Sequence, residues 1–176
     1  MKQIEKRSDF LMNEKEYFRI IHQKTAALFQ AACMGGAYFG GVSMAAVEAL
    51  GDYGFHLGMA FQIVDDCLDI LGNTESIGKT AGLDIYKSDV TLPTLYLFQS
   101  LKDAERKTLL GNGVERRPEA VEKIKRMALD TGVIDRAMEK AREFTEKALE
   151  GLRSVRECPF KDSLVQLTSF NLERGR

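Results

Sequence analysis

Apolar residues recur at helical spacing along most of this chain, and no segment alternates in the manner of a half-buried strand. Asn13 followed by Glu16 has the form of a capping box and opens a helix carrying Tyr17, Ile20, Ile21, Lys24 and Leu28. The Gly35-Gly36 and Gly40-Gly41 pairs either break that run or let it pack closely. A second helix is predicted from near Ser43 to about Leu71, and the stretch from Gly72 to Pro93, with little apolar period, is predicted as the main loop. Thr91-Leu92-Pro93 opens the next helix, with proline in its first turn. Asp103 caps a helix ending at Gly111-Asn112-Gly113, and Pro118 starts one that stops near Thr131-Gly132. Ile134, Ala137, Ala141, Phe144, Ala148 and Leu152 trace one face of a longer helix. Pro159 breaks it before a final helix from Lys161 to about Glu173. The expectation is an all-α, multi-helix bundle forming a single domain over residues 1–176.

Composition narrows the function classes. Lys and Arg total 25 against 26 Asp and Glu, which argues against a nucleic-acid or acidic-membrane surface. Cys33, Cys67 and Cys158 form no CxxC pair, so neither a disulfide framework nor a zinc site is indicated, and a cytoplasmic location is expected. No signal-peptide core is visible at the N-terminus. The uncharged segment Ala26–Val47 is long enough to span a bilayer and contains a GxxxG, Gly36 to Gly40. Ala, Gly, Ser and Gln dominate it, so the preferred reading is close packing of small residues between soluble helices, not a transmembrane span.

The candidate chemistry centres on Asp65, Asp66 and Asp69, within FQIVDDCLDILG. On a helix Asp65 and Asp69 stack one turn apart, with Asp66 about 100° round from Asp65. Like charges at this spacing repel, and burying them unpaired among Phe61, Ile63, Val64, Leu68 and Ile70 is far more costly. One solution is a solvated acidic face; the other is a divalent metal shared with a phosphorylated ligand. Oxygen-only ligands favour Mg2+. Cys67 reads as packing. Gln62, one turn earlier, either reaches a phosphate oxygen or satisfies backbone inside the bundle. Lys24-Thr25 reads first as a lysine at the core edge, with phosphate binding as the alternative. His22 is given no role. Gly78-Lys79-Thr80-Ala81-Gly82-Leu83-Asp84 lacks P-loop spacing; its interest lies in following the aspartates directly.

Taken in order, these residues resemble one family, the trans-isoprenyl diphosphate synthases or polyprenyl synthetases. The match runs from Lys24-Thr25 through Gly58 to Ile70, then Gly78-Lys79, Gly82, Asp84 and Thr91-Leu92-Pro93, and includes Lys140-Ala141 and the tail from Leu164 to Arg174. The aspartates look like the family's second aspartate-rich motif. The resemblance implies helices around a central cavity and a prenyltransferase of isoprenoid biosynthesis. It would condense an allylic diphosphate with isopentenyl diphosphate head to tail and release pyrophosphate. By the same resemblance Asp65, supported by Asp66 and Asp69, holds Mg2+; Lys24, Thr25, Gln62 and Lys79 contact diphosphate; and Asp65, Lys24 and Lys79 serve catalysis.

Two departures qualify the match. The family has a first aspartate-rich motif across the cavity, and no second DDxxD is present in this sequence. The resemblance therefore implies the C-terminal half of the domain, lacking the N-terminal helices. It further implies association, either as a homo-oligomer or with a chain supplying the other half. Ser88-Asp89 stands where the family commonly has Gly-Lys, which replaces a cation near diphosphate by an anion, although Lys87 is close. The alternative function is accordingly a truncated, non-catalytic homologue acting as a structural or regulatory subunit.

Overall fold

The structure, a computed structural model, describes residues 12–72, 82–110 and 118–174. Among them every regular element is helical, as the apolar spacing predicts. Helix α1 (Glu14–Ile21) is capped by Asn13, whose Oδ1 accepts the Glu16 N–H at 2.9 Å. One π-helical turn, His22–Ala26, follows, and α2 (Ala27–Phe39) continues the run straight through Gly35-Gly36. It stops at Gly40, with Gly41 in the left-handed region at φ +72°. Ser43 Oγ accepts the Ala46 N–H at 3.3 Å at the start of α3 (Met44–Leu71), the predicted aspartate-bearing helix.

The expected long loop contains a short helix, α4 (Leu83–Tyr86). Four residues are too few to leave a period in the sequence. The Thr91-Leu92-Pro93 signal holds: Thr91 and Thr94 form a reciprocal cap at the start of α5 (Leu92–Ser100), with Pro93 in the first turn. Residues Leu92–Phe98 are all buried, which suits a helix apolar on every side. Asp103 is not the cap of α6 (Asp103–Leu110). It is the first helical residue and pairs with Arg106, while the Glu105 carboxylate accepts the Lys102 N–H at 3.0 Å. Helices α7 (Pro118–Asp130) and α8 (Val133–Gly151) are divided by Gly132 at φ +70°. Of the face anticipated for α8, Ile134, Ala137, Ala141, Ala148 and Leu152 are buried. Phe144 is half-buried and meets Phe18 edge to face. Pro159 sits in the first turn of α9 (Pro159–Glu173), two residues earlier than expected. No described helix is long and apolar enough to cross a membrane.

The helices gather into two compact units, one from Met1–Tyr17 and Asp65–Met138, the other from Phe18–Val64 and Glu139–Arg176. In the second unit Tyr53, Leu57, Ala148 and Leu152 form a buried cluster, flanked by Phe29, Cys33, Leu164 and Val165. Its tightest seam is built by Gly54 and Gly58, for which the sequence alone indicates no packing role. A methyl group on Gly54 would lie 2.6 Å from the Phe29 carbonyl oxygen, and one on Gly58 would lie 2.6 Å from Ala26 Cα. Gly36 of the GxxxG, by contrast, has nothing within 4 Å of where its Cβ would be. Small residues do bring α2 and α3 together, but the glycines that permit it are on α3. On α2, Leu28 and Phe39 stay 74% and 89% exposed, and Tyr38 is exposed as well.

In the first unit α4 ends in a Schellman motif. Asp89 N–H donates to Asp84 O at 2.9 Å and Ser88 N–H to Ile85 O at 3.0 Å. This geometry puts Ser88 at φ +60° while leaving it only 1% exposed. The left-handed conformation costs an L-residue roughly 1–2 kcal/mol and glycine almost nothing, which accounts for the glycine expected here by resemblance. Ser88→Gly is accordingly expected to raise stability by about 1 kcal/mol, read from denaturant midpoints at constant m-value. A lower midpoint would show that the Ser88 hydroxyl contributes more than the backbone strain removes.

Candidate functional site

The three aspartates occupy the last two turns of α3, in the first unit, and each has a distinct environment. Asp66 is 3% exposed, and its Oδ2 accepts the hydroxyl proton of Tyr17 at 2.7 Å. Tyr17 is itself fully buried. Burial, reinforced by the Asp66 charge, pushes its phenol well above the ordinary value of 10.0, so it remains a donor throughout the physiological range. Asp69 is half-buried and clasps α4. Its Oδ1 accepts the Leu83 N–H at 3.2 Å and its Oδ2 the Asp84 N–H at 3.1 Å, while its backbone carbonyl accepts the Gly82 N–H at 2.7 Å. Burial raises the Asp69 carboxyl above the usual carboxylate range, although the two N–H bonds and the Lys125 and Lys87 charges pull the other way. Asp65 is half-buried. Cys67 is completely buried, as its reading as packing requires, and burial with the charges of Asp66 and Asp135 pushes its thiol up to about 12. A thiol held protonated in this way is a poor metal ligand.

Among the described residues no three His, Cys, Asp or Glu side chains converge as a closed metal cage would require. The donor set nevertheless fits magnesium, which is held by one or two carboxylates together with substrate phosphates and its own waters. A carboxylate that accepts one or two hydrogen bonds retains further lone pairs.

The second unit holds three further predicted ligand-binding residues, Lys24, Thr25 and Gln62. Thr25 Oγ1 donates to Gln62 Oε1 at 2.6 Å, so two residues predicted 37 positions apart are brought together. Gln62 is 7% exposed, whereas Lys24 is exposed. Lys24 and Thr25 both lie in the π-helical turn, in which the Ala27 N–H reaches back to His22 O. Such turns are rare and concentrate at functional sites. His22 packs edge to face on Phe55 at 5.1 Å, consistent with a structural residue. Lys79, the remaining predicted contact, lies outside the described residues, as do Gly78 and Thr80.

Tyr17 was missed as a site residue. The signal available was chemical: a tyrosine on an apolar helix face needs a partner for its hydroxyl once buried, and an aspartate in an apolar run needs a donor.

Comparisons with known proteins match this chain to a family. The polyprenyl synthetase family model matches residues 1–130. The octaprenyl diphosphate synthase of Haemophilus influenzae is 33% identical over 165 residues, covering 93% of this chain and 50% of the relative. The short chain isoprenyl diphosphate synthase of Methanothermobacter thermautotrophicus is 38% identical over 167 residues, with the same 93% and 50% coverage. Among solved structures, a polyprenyl synthase from Caulobacter crescentus CB15, complexed with calcium and isoprenyl diphosphate, superposes with a TM-score of 0.89 at 32% identity. That superposition covers 99% of this chain and 54% of the other. The chain thus spans about half the length of the curated relatives it matches. With the family model matched across the aspartate helix, the clasped α4 and the Thr91-Leu92-Pro93 cap, this chain belongs to the polyprenyl synthetase family.

Proposed function

We propose that this chain carries the second metal-diphosphate half of a prenyltransferase site, serving head-to-tail condensation of an allylic diphosphate with isopentenyl diphosphate. The observation that carries this reading is the aspartate turn of α3, in which the Tyr17 hydroxyl holds Asp66, backbone N–H groups of α4 hold Asp69, and Asp65, half-buried, lies on the same two turns. The calcium and isoprenyl diphosphate in the Caulobacter relative support a divalent cation with a prenyl diphosphate as the ligand class.

Asp65 would hold magnesium, with Asp66 and Asp69 in support, and the bound ion would supply charge stabilisation for the departing pyrophosphate. By the family resemblance, Lys24 and Lys79 would supply point charges to diphosphate oxygens. Thr25 and Gln62 present a preformed polar pair for phosphate oxygens or bound water. In the reaction, the allylic C–O bond breaks and its electron pair leaves with pyrophosphate. The π pair of isopentenyl diphosphate then forms the new C–C bond, and loss of a proton restores a double bond. Preorganised cations act where the negative charge develops.

The exposed Leu28, Tyr38 and Phe39 of α2 favour association, since apolar clusters left on a surface mark contact sites. Their occupant is taken to be the family's other half, in a second copy or a neighbouring chain. A second reading, a non-catalytic homologue acting as a subunit, is favoured by Asp89, which puts a carboxylate where the resemblance leads one to expect lysine.

Three outcomes test this account. Calorimetric binding of farnesyl diphosphate in the presence of magnesium should weaken by at least about tenfold in Asp65→Asn, because a charged ligand contact is lost; equal affinities would refute the assignment. Asp89→Lys should tighten the same binding by about tenfold, the value of one charge-assisted hydrogen bond, and no change would remove Asp89 from the site. Light scattering at micromolar concentration should show an assembly larger than one chain; a clean monomer would contradict the association.

A further inference from the structure

The hydroxyl of Tyr17 lies outside every residue that the aspartate motif and its flanking signals supply, yet it makes a buried hydrogen bond to that motif. Tyr17 is 1% exposed and Asp66 3%, and their hydrogen bond joins positions 49 residues apart. It ties α1 to α3 at the turn where Asp65 and Asp66 are adjacent. Neighbouring residues on a helix differ in direction by about 100°, so any rotation of α3 that released Asp66 from the buried side would swing Asp65 through the same angle. The following turn is held independently: both Asp69 oxygens accept backbone N–H groups of α4. Asp66 and Asp69 thus both fix the orientation of the helix end, and the direction of Asp65 on that helix follows with it.

We propose that Tyr17 is a positioning residue for the aspartate motif: by holding Asp66 on the buried side of α3 it sets the direction in which Asp65 meets a magnesium-diphosphate ligand. The inference rests on the assignment of Asp65 as the ligand contact. A phenylalanine would fill the same space and lack only the donor, so the hydroxyl, not the ring, carries the role. Groups that orient a metal ligand from behind typically change metal affinity by about 10–100-fold when removed.

The test is the magnesium dependence of pyrophosphate binding, followed by calorimetry on the full chain, with circular dichroism as a check on folding. Tyr17→Phe should raise the magnesium concentration needed for half-saturation by about tenfold while leaving the helical content unchanged. A purely structural role would lower the melting temperature and leave that magnesium requirement where it was. Asp66→Asn keeps an oxygen for the Tyr17 hydroxyl and should be impaired less than Asp66→Ala, which keeps none. This pair decides the matter if Tyr17→Phe does not fold. An unchanged magnesium requirement in Tyr17→Phe, with a raised one in Asp65→Asn, overturns the proposal and leaves the site assignment standing. Asp66→Asn as damaging as Asp65→Asn also overturns it, because Asp66 would then be a principal ligand in its own right and would not act mainly by orienting Asp65. Failure of Asp65→Asn to alter binding removes the site assignment and the proposal together.

Discussion

A carboxylate cannot be buried in an apolar helix bundle without a donor, and the Tyr17–Asp66 hydrogen bond is the interaction through which this chain meets that constraint. The aspartate motif concentrates three negative charges on the end of one helix. Asp66 accepts from a phenol of α1, and Asp69 from the first N–H groups of α4. The negative potential of the turn is thereby kept in a fixed frame, which is the condition for binding a cation in defined geometry instead of merely attracting counter-ions. On the proposed assignment, the hydrogen bonds that hold this helix end are also those that orient the site.

Backbone proximity imposes the second constraint. Gly54 and Gly58 let α3 approach Phe29 and Ala26 of the preceding helical run so closely that a methyl group would collide with main-chain atoms. Ala26 adjoins Lys24 and Thr25 across the π-helical turn. The polar Thr25–Gln62 pair sits beside this tight seam, one helical turn beyond Gly58 on α3. A side chain forced into the seam would disturb the pair as well as the packing.

Most helix boundaries were legible in the sequence because they depend on local chemistry. Asn13 and Ser43 bond the N–H groups of the turn that follows them, Thr91 pairs with Thr94, and Gly132 takes up a left-handed backbone. The misses share a physical cause. Helix α4 is shorter than the period by which helices are recognised, and Asp103 was mistaken for a cap because an acidic first turn and a capping residue look alike in sequence. The glycine seam went unseen because an isolated glycine within a helix says nothing about which backbone it will meet. Gln62 and Thr25 were legible as site candidates only through the family resemblance, the aspartates from residue type and spacing as well. Their partners were not, since Tyr17 and α4 reach them only after the chain has folded. Ser88 is intermediate: its departure from the family pattern was visible, but only the φ of +60° gives the reason for a glycine there.

The central claim is that Asp65 presents a divalent cation to a diphosphate. Manganese is a paramagnetic stand-in for magnesium, and its enhancement of water-proton relaxation on binding measures the complex directly. With pyrophosphate present, the chain should give a saturable enhancement that Asp65→Ala abolishes and that circular dichroism shows is not due to unfolding. Equal enhancement in the chain and in Asp65→Ala would contradict the account.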